Sequence, residues 1–244
     1  MAGLAKGLAV IETFGQSHTQ LTVSEAAQAT GLSRATARRC LLTLTELGYL
    51  THDGKHFRPT PRMMRLGGSY TRTDPLPRLA QPHLVSARQA LGESVSLAVL
   101  EDGASVFVAR AETQRIVSAG VRIGVRLPAC GTATGRVLLA GLPDDELDAY
   151  LASCRPEART EKSVVDVEEI RRRILAARAA DVAFTDEELE LGMRSMATPV
   201  RDAQGATRAA LSVSAFTARI SLDDMDEQFL PVLKEHASRI GRML

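Results

Sequence analysis

The chain has 244 residues and a formal net charge of +1, with 45% hydrophobic and 24% charged residues. This composition is typical of a folded protein and excludes extended disorder, while the length favours two unequal domains. The charge is uneven: residues 1–75 carry nine Lys or Arg against five acids, so they hold +4 and the remainder −3. Such an asymmetry indicates that the N-terminal part binds a polyanion.

The sequence also indicates the cellular compartment. No apolar run approaches the roughly 18 residues that span a membrane, and residues 1–13 show no signal peptide. Cys40, Cys130 and Cys154 lie too far apart to signal a disulfide framework or a zinc site. We therefore expect a cytoplasmic protein that contacts no membrane and needs no metal or other cofactor.

Three helices are predicted near the N-terminus. Apolar residues have helical spacing over 6–14, and a second, short helix begins after Thr22 or Ser24 and ends at Gly31. Ser33 then caps a third helix, which Gly48 closes. Two short helices around a glycine turn are typical of a helix-turn-helix.

The third helix has an apolar face (Ala37, Cys40, Leu41, Leu44, Leu47) and an opposite face with Ala35, Arg38 and Arg39, flanked by Arg34. An α-helix fits the major groove of DNA, and arginine pairs with guanine edges or phosphates. The alternative is the solvated basic face of an ordinary helix bundle.

Two short strands, 49–51 and 57–59, follow the third helix, and Asp53-Gly54 between them predicts a hairpin turn. This hairpin would be a wing whose Lys55, His56 and Arg58 reach the DNA backbone or the minor groove. The predicted DNA-binding residues are Ser33, Arg34, Ala35, Thr36, Arg38, Arg39, Lys55, His56 and Arg58.

Domain boundaries follow from a composition change. Glycines and prolines interrupt a basic helical segment, and we place a break within 74–77. The prediction is a winged helix-turn-helix over 1–62, a linker helix over 63–77 and an α/β domain over 78–244. Strands are predicted at 94–101, 104–112, 115–121, 195–202 and 206–216, and helices at 134–142, 143–154, 167–180 and 221–244, the last capped by Ser221 and with Pro231 as a candidate kink.

A hydroxyl-rich turn opens the predicted helix at 134–142. Thr132 and Thr134 lie there beside the guanidinium of Arg136, so hydroxyls, free backbone N–H groups and a cation could receive a carboxylate. Plain N-capping by one of the threonines explains the same residues. Both interpretations stay open on these residues alone.

Two further segments carry polar groups suited to a pocket. Strand alternation puts Ser212 and Ser214 on one face, where they line a cavity or face water. Asp186, Met193 and Ser195 stand just before or within a strand, as residues that orient a ligand or as part of an acidic surface loop.

Catalytic motifs are missing from the sequence. The hydrolase elbow, the zinc-protease motif, the phosphate-binding loop and the dinucleotide fingerprint are not found, and the five histidines are scattered. Cys130 beside Gly131 is a candidate reactive thiol, although a lone cysteine is more often a small core residue.

The order and spacing of four segments resemble the IclR family of bacterial transcriptional regulators along nearly the whole chain. They are GLAVIETF, GLSRATARRCLLTLTELGYL, LPACGTATGRVLLAGL and DEELELGMRSMATPVRD followed by ALSVSAF. The third-helix segment, followed by DGKHF, is similar to the branch that regulates protocatechuate and 4-hydroxybenzoate breakdown. At Cys130, Gly131, Thr134 and Arg136 the chain departs from the commoner family pattern, so its ligand can differ.

The resemblance implies an α+β protein with a winged helix-turn-helix, a dimerising linker helix and a GAF-like effector domain. Its partners would be a double-stranded DNA operator, a small aromatic or dicarboxylic acid, and a second copy in a homodimer or a dimer of dimers. The alternatives are an enzyme or a redox sensor fused to a DNA-binding head. The expected effector contacts, combined with those from the residues above, are Ala119, Leu127, Cys130, Thr132, Ala133, Thr134, Arg136, Thr185, Asp186, Met193, Ser195, Ser212 and Ser214.

Overall fold

The computed structural model describes residues 2–15, 18–113 and 121–244, without the side chains of Ala2, Thr71 and Arg72. The chain forms two compact units, Met1–Thr73 and Asp74–Leu244. Among the described residues, no helix is long and apolar enough to cross a membrane.

The first unit is a helical domain with a small hairpin. Thr22 and Glu25 form a reciprocal capping box at the start of α2, and Gly31 ends α2 with φ +65°, a left-handed conformation that favours glycine. Ser33 caps α3 by accepting from the Thr36 N–H. The elements are α1 (Ala2–Glu12), α2 (Val23–Thr30), α3 (Arg34–Glu46), β1 (Leu50–His52), β2 (Phe57–Pro59), a 3₁₀ turn (Pro61–Met63) and α4 (Met64–Thr73).

The core of this unit joins all three N-terminal helices to the hairpin. Ala37, Leu41 and Leu44 of α3 are buried in it, and Phe57 of β2 closes it from the hairpin side. Leu47 is 52% exposed, so the buried apolar face of α3 ends at Leu44 and, contrary to the prediction, does not include Leu47. The helix itself ends at Glu46, and α1 begins four residues earlier than predicted, at Ala2.

A helix break separates the two units. The Asp74 carboxylate accepts from the Leu76 N–H and caps α5 (Pro75–Leu91), and proline in the first helical turn is compatible with that start. The linker segment expected at 63–77 is therefore divided, with α4 before Asp74 and α5 after it.

The second unit is built on a six-stranded antiparallel sheet with the order β5-β4-β3-β8-β7-β6. Its helices precede, interrupt and follow the strands. The elements are β3 (Ser94–Glu101), β4 (Ala104–Ala111), β5 (Arg126–Pro128), a 3₁₀ turn (Ala129–Gly131), α6 (Ala133–Ala140), α7 (Asp144–Ser153), α8 (Val167–Ala180), β6 (Ala183–Asp186), β7 (Met193–Arg201), β8 (Thr207–Phe216), α9 (Leu222–Asp224), a π-helical turn (Met225–Phe229) and α10 (Leu230–Gly241).

Alternation along the strands gives the sheet two different faces. One face carries long apolar side chains such as Leu97 and Leu211 and packs on α5 and α10. The other face carries small residues such as Ala98 and Ala210 and packs on α6 through Val137. We call this second surface the α6 face, and it holds the candidate site.

The predicted elements of this unit differ from the structure at two short strands and in the C-terminal helix. The strands β5 and β6 were not predicted, because each has only three or four residues and little alternation. The strand predicted at 115–121 falls almost entirely outside the described residues. The predicted C-terminal helix is divided by the π-helical turn, which ends two residues before Pro231. Proline has no backbone N–H, so Pro231 removes a hydrogen-bond donor from the helix interior.

Candidate functional site

The outer face of α3 is an exposed cationic surface. Arg34, Arg38 and Arg39 are all exposed, and none pairs with a carboxylate in the part of the chain that the structure describes. Ala35 lies between them and is exposed, so it leaves room for close approach of a backbone. Thr36 is half-buried and bonds to Ser33, with 2.9 Å between their hydroxyl oxygens.

The hairpin presents fewer free cations than its sequence suggests. Asp53 accepts from the N–H groups of Lys55 and His56, and these bonds hold the pKa of its carboxyl at about 2. Arg58 lies 3.2 Å from the same carboxylate and donates to Gln20. His56 is half-buried beside Asp53, at 3.8 Å. Lys55 is left as the exposed wing cation without a carboxylate partner among the described residues.

Two polar rows cross the α6 face. The first consists of Thr185, Ser195, Ser214 and Ser94, paired residue by residue from β6 to β3. The hydroxyls of Ser195 and Ser214 are 2.9 Å apart. Met193 lies on β7 two residues before Ser195, so alternation puts it on this face as well.

The second row runs parallel to the first. It pairs Ala197 with Ser212, Ser212 with Ser96, and Ser96 with Arg110. Ser212 is buried, and its hydroxyl bonds weakly to the Ser96 carbonyl at 3.4 Å. The rows bring Thr185, Ser195, Ser212 and Ser214 together, although their segments are widely separated in sequence.

The start of α6 packs on the same face of the sheet, against β4 and β5. Thr132 caps α6 by accepting from the Gly135 N–H, and the Ser105 hydroxyl of β4 donates to Thr134 at 2.8 Å. Ala133 is buried against the sheet, and Leu127 of β5 pairs with Ser105 and packs at the edge of the same cluster. Thr132 therefore caps α6, as one of the two interpretations predicted, and both threonines lie next to the sheet.

Arg136 does not do what the sequence suggested. Its side chain is 1% exposed, and its guanidinium makes a bidentate pair with Glu188, at 2.6 and 3.1 Å. The remaining donors bond to the carbonyls of Cys130 and Phe184. Because all three nitrogens have partners and the charge is paired with Glu188, Arg136 holds the structure together and has no bidentate edge left for a ligand carboxylate.

Two other expected contacts also lie elsewhere. Cys130 is buried in a cluster with α7 and α8 rather than on the sheet face. Asp186 pairs with Arg194 at 2.5 Å, and alternation points both away from Thr185 and Ser195. Ala119 falls outside the described residues.

The cysteine surroundings disfavour the redox alternative. Cys130 and Cys154 are both free and buried. Burial raises the pKa of the Cys154 thiol to about 11, and the neighbouring Cys130 adds to this. Oxidation proceeds through the thiolate, so the Cys154 thiol reacts slowly, and burial also limits the access of an oxidant to Cys130.

The charged residue of the two polar rows, Arg110, was not predicted. Arg110 lies in the second row, its side chain is 7% exposed, and Nη1 donates to Ser96 at 2.9 Å. Burial lowers the pKa of its guanidinium. The signal was in the sequence, because Arg110 is the one charged residue in the otherwise apolar strand ASVFVARA.

Models of two protein domains match the chain. The IclR helix-turn-helix domain matches residues 3–54, and the bacterial transcriptional regulator IclR C-terminal domain matches residues 68–242. The chain belongs to the IclR family. It is a DNA-binding transcriptional regulator with an effector-binding domain, and the resemblance and the two-domain α+β fold expected from the sequence are confirmed.

Individual IclR relatives agree over the full length. The Pca regulon regulatory protein of Pseudomonas putida is 39% identical over 234 residues, which cover 96% of this chain and 80% of that protein. The crystal structure of a transcriptional regulator from Rhodococcus sp. RHA1 matches with a TM-score of 0.87 and 46% identity, over 99% of this chain and 97% of the other.

A third relative was solved with a ligand. It is an IclR homologue from Microbacterium hydrocarbonoxydans complexed with 4-hydroxybenzoate, with a TM-score of 0.81 and 27% identity, over 98% of this chain and 97% of the other. The family is regulatory, and these IclR relatives are described as regulators, which leaves the enzyme alternative without support.

Proposed function

We propose that this IclR regulator responds to a small aromatic acid, with 4-hydroxybenzoate and protocatechuate as first candidates, and that the acid binds on the α6 face. The observation that carries the proposal is the pair of polar rows, whose hydroxyls converge on a sheet surface otherwise made of small apolar residues. A mostly apolar pocket with a few convergent polar groups is the usual form of a small-molecule site.

The chemistry of the α6 face fits a substituted aromatic ring. Phe107, Leu127 and the alanines of the sheet supply apolar contacts. Ser195, Ser214 and Thr185 supply hydroxyls that donate to or accept from ring substituents. The Microbacterium homologue, with 4-hydroxybenzoate bound, makes this ligand the natural first probe.

The operator contacts are proposed on α3 and the wing. Arg34, Arg38 and Arg39 would enter the major groove, and Lys55 would contact a phosphate beside it. Arg58 and His56 would stabilise the wing by contacting Asp53, and their contacts with DNA would be secondary. The protein would act in the cytoplasm, where the operator lies.

A homodimer, or a dimer of dimers, is proposed from the exposed apolar side chains of α4. Leu66 is 43% exposed and Tyr70 40%, and because they are four residues apart they share one side of α4, an apolar helix surface that favours a partner helix. Two-fold symmetry would match a pseudo-palindromic operator. The domain division proposed is a DNA-binding head to residue 62, a linker to 77 and an effector domain to 244.

Operator binding tests the DNA half of the proposal. Replacing Arg38 and Arg39 together with Ala is expected to weaken operator binding at least about tenfold and to make it less dependent on salt, since each lost phosphate contact removes about 0.9 from the slope. Fluorescence anisotropy at several salt concentrations measures both. Arg172→Ala, an exposed arginine on α8, is the control, and equal loss in both variants would contradict the assignment.

Thermal shifts with a ligand panel test the effector half. Binding to the native state raises the apparent melting temperature, so 4-hydroxybenzoate, protocatechuate and the dicarboxylate β-ketoadipate can be ranked directly. We expect the aromatic acids to give the larger shifts and to change operator binding. If β-ketoadipate alone raised the melting temperature, the effector would be a dicarboxylic acid and not an aromatic one.

A further inference from the structure

Arg110 has two buried donors without partners. Nη1 donates to Ser96, whereas Nε and Nη2 are buried and have no hydrogen-bond partner among the described residues. A buried guanidinium with unused donors is unfavourable, because those N–H groups have lost water and gained nothing in return. Such groups are rare in native structures and each calls for an explanation, of which a functional role in binding another group is one.

The free donors lie on one edge of the guanidinium. Nε and Nη2 point in parallel along the side of the fork that is away from Ser96, and they are spaced to meet both oxygens of a single carboxylate. A neutral amide or hydroxyl offers a single acceptor oxygen and no negative charge, so it matches this edge less well than a carboxylate does. The unused edge therefore selects for a carboxylate.

A second unsatisfied group lies close by in the chain. Thr113 Oγ1 is buried without a hydrogen-bond partner among the described residues, and the Thr113 N–H donates to Ser94. Ser94 and Ser96 are two residues apart on the same face of β3. The unsatisfied donors and hydroxyl thus gather at the β3–β4 end of the two polar rows.

Glu112 is the nearest carboxylate to this edge. Its Oε1 lies 3.6 Å from Nη2, which is too far for a hydrogen bond, and its side chain is 54% exposed. An exposed carboxylate at this distance balances part of the charge without occupying the donors.

From these contacts we infer that Arg110 is the specificity-determining residue for the effector's carboxylate, which it binds side-on through Nε and Nη2. The inference rests on the effector site proposed on the α6 face, and it names the group that makes this site select acids. Arg136, which the sequence suggested for the role, is excluded by its bond to Glu188.

Isothermal titration calorimetry with four proteins and matched ligands tests the inference. The ligands are 4-hydroxybenzoate, its neutral analogue 4-hydroxybenzamide, and β-ketoadipate. The proteins are the wild type, Arg110→Met, Arg110→Lys and the control Arg172→Met, which removes the same charge from an exposed position. Circular dichroism and operator binding confirm that each variant is folded.

The wild type is expected to prefer the acid over the amide by at least about tenfold. Arg110→Met should weaken acid binding about ten- to hundredfold and abolish that preference, as expected for hydrogen bonds to a charged group. Arg110→Lys should fall between the two, because lysine keeps the charge but cannot bind a carboxylate side-on. Arg172→Met should match the wild type.

The Glu112→Gln variant distinguishes direct ligand binding by Arg110 from a structural ion pair between Arg110 and Glu112. If Arg110 receives the ligand, this variant binds the acid as well as the wild type or better. If Arg110 acts only through Glu112, Glu112→Gln loses affinity as Arg110→Met does, and the inference is overturned.

The outcomes distinguish this inference from the proposed function. Unchanged acid binding by Arg110→Met overturns the role of Arg110 and leaves the aromatic effector standing. Binding of β-ketoadipate but not of 4-hydroxybenzoate, lost in Arg110→Met, supports Arg110 and overturns the aromatic class. A wild type that binds none of the acids overturns both.

Discussion

Arg110 and Arg136 are two buried arginines of the same domain with opposite surroundings. Arg136 donates from all three nitrogens, to Glu188 and to two backbone carbonyls. Arg110 donates from one, to Ser96, and leaves a bidentate edge unused. Both are buried cations, so burial and charge alone do not identify a ligand site. The number of unsatisfied donors does, and the following predictions test that distinction.

The largest effect is expected from breaking the satisfied arginine. Among the described residues, Arg136→Met leaves the buried Glu188 carboxylate with Arg173 as its one cationic partner, at 2.9 Å, and should lower the free energy of unfolding by about 3 to 5 kcal/mol. Urea unfolding followed by circular dichroism measures the loss. Ligand affinity of the folded fraction should stay close to that of the wild type.

A paired replacement is the control for this prediction. Arg136→Met combined with Glu188→Leu removes both charges, and replacing a buried ion pair by apolar residues is often neutral or stabilising. The double variant should therefore recover most of the lost stability. A single variant as stable as the wild type would contradict the structural role given to Arg136.

A substitution at Gly135 tests the contacts around Arg136 by displacing the backbone of α6. A Cβ at this position would lie 2.1 Å from the Ala129 carbonyl oxygen, so α6 would have to move off the preceding turn, whose Cys130 carbonyl accepts from Arg136. Gly135→Ala should cost about 3 kcal/mol of unfolding free energy, against a gain below about 1 kcal/mol from helix propensity.

Gly131→Ala is a matched control, because nothing lies within 4 Å of its added Cβ. Differential scanning calorimetry compares the two variants. Equal melting temperatures for them would show that the close approach of α6 to Ala129 is not required.

The hydroxyl contacts at the start of α6 give an intermediate effect. Thr134→Val removes the bond from Ser105, at 2.8 Å, and leaves that buried hydroxyl without its acceptor, which should cost about 1 to 2 kcal/mol. Thr134→Ser keeps the hydroxyl and should cost less. If both variants lose the same amount in urea unfolding, packing of the Thr134 methyl group matters more than its hydrogen bond.

How far the sequence predicts this molecule depends on the range of the interactions. Capping by Ser33, the turn at Gly31 and the alternation around Ser212 and Ser214 are local, and the structure has them as expected. Short strands such as β6 carry too little pattern to be recognised, because four residues show little alternation, even though β6 pairs with the next strand in the chain, β7.

The candidate site shows the same limit more sharply. Thr185, Ser195, Ser212 and Ser214 lie together on the α6 face; the family resemblance indicated all four, and strand alternation indicated Ser212 and Ser214. The roles of the two arginines could not be predicted, because they depend on Glu188 and Ser96, which no sequence period connects to Arg136 and Arg110. A lone charged residue inside an apolar strand is the signal that would have directed attention to Arg110.

The smallest effect is expected from removing the unsatisfied arginine in the absence of ligand. Arg110→Met loses the bond to Ser96 but also removes two buried donors that have no partner, so the two contributions nearly cancel. The unfolding free energy should change by less than about 1 kcal/mol, with either sign. A loss as large as that of Arg136→Met would show that Arg110 is structural, and the contrast between the two arginines would then disappear.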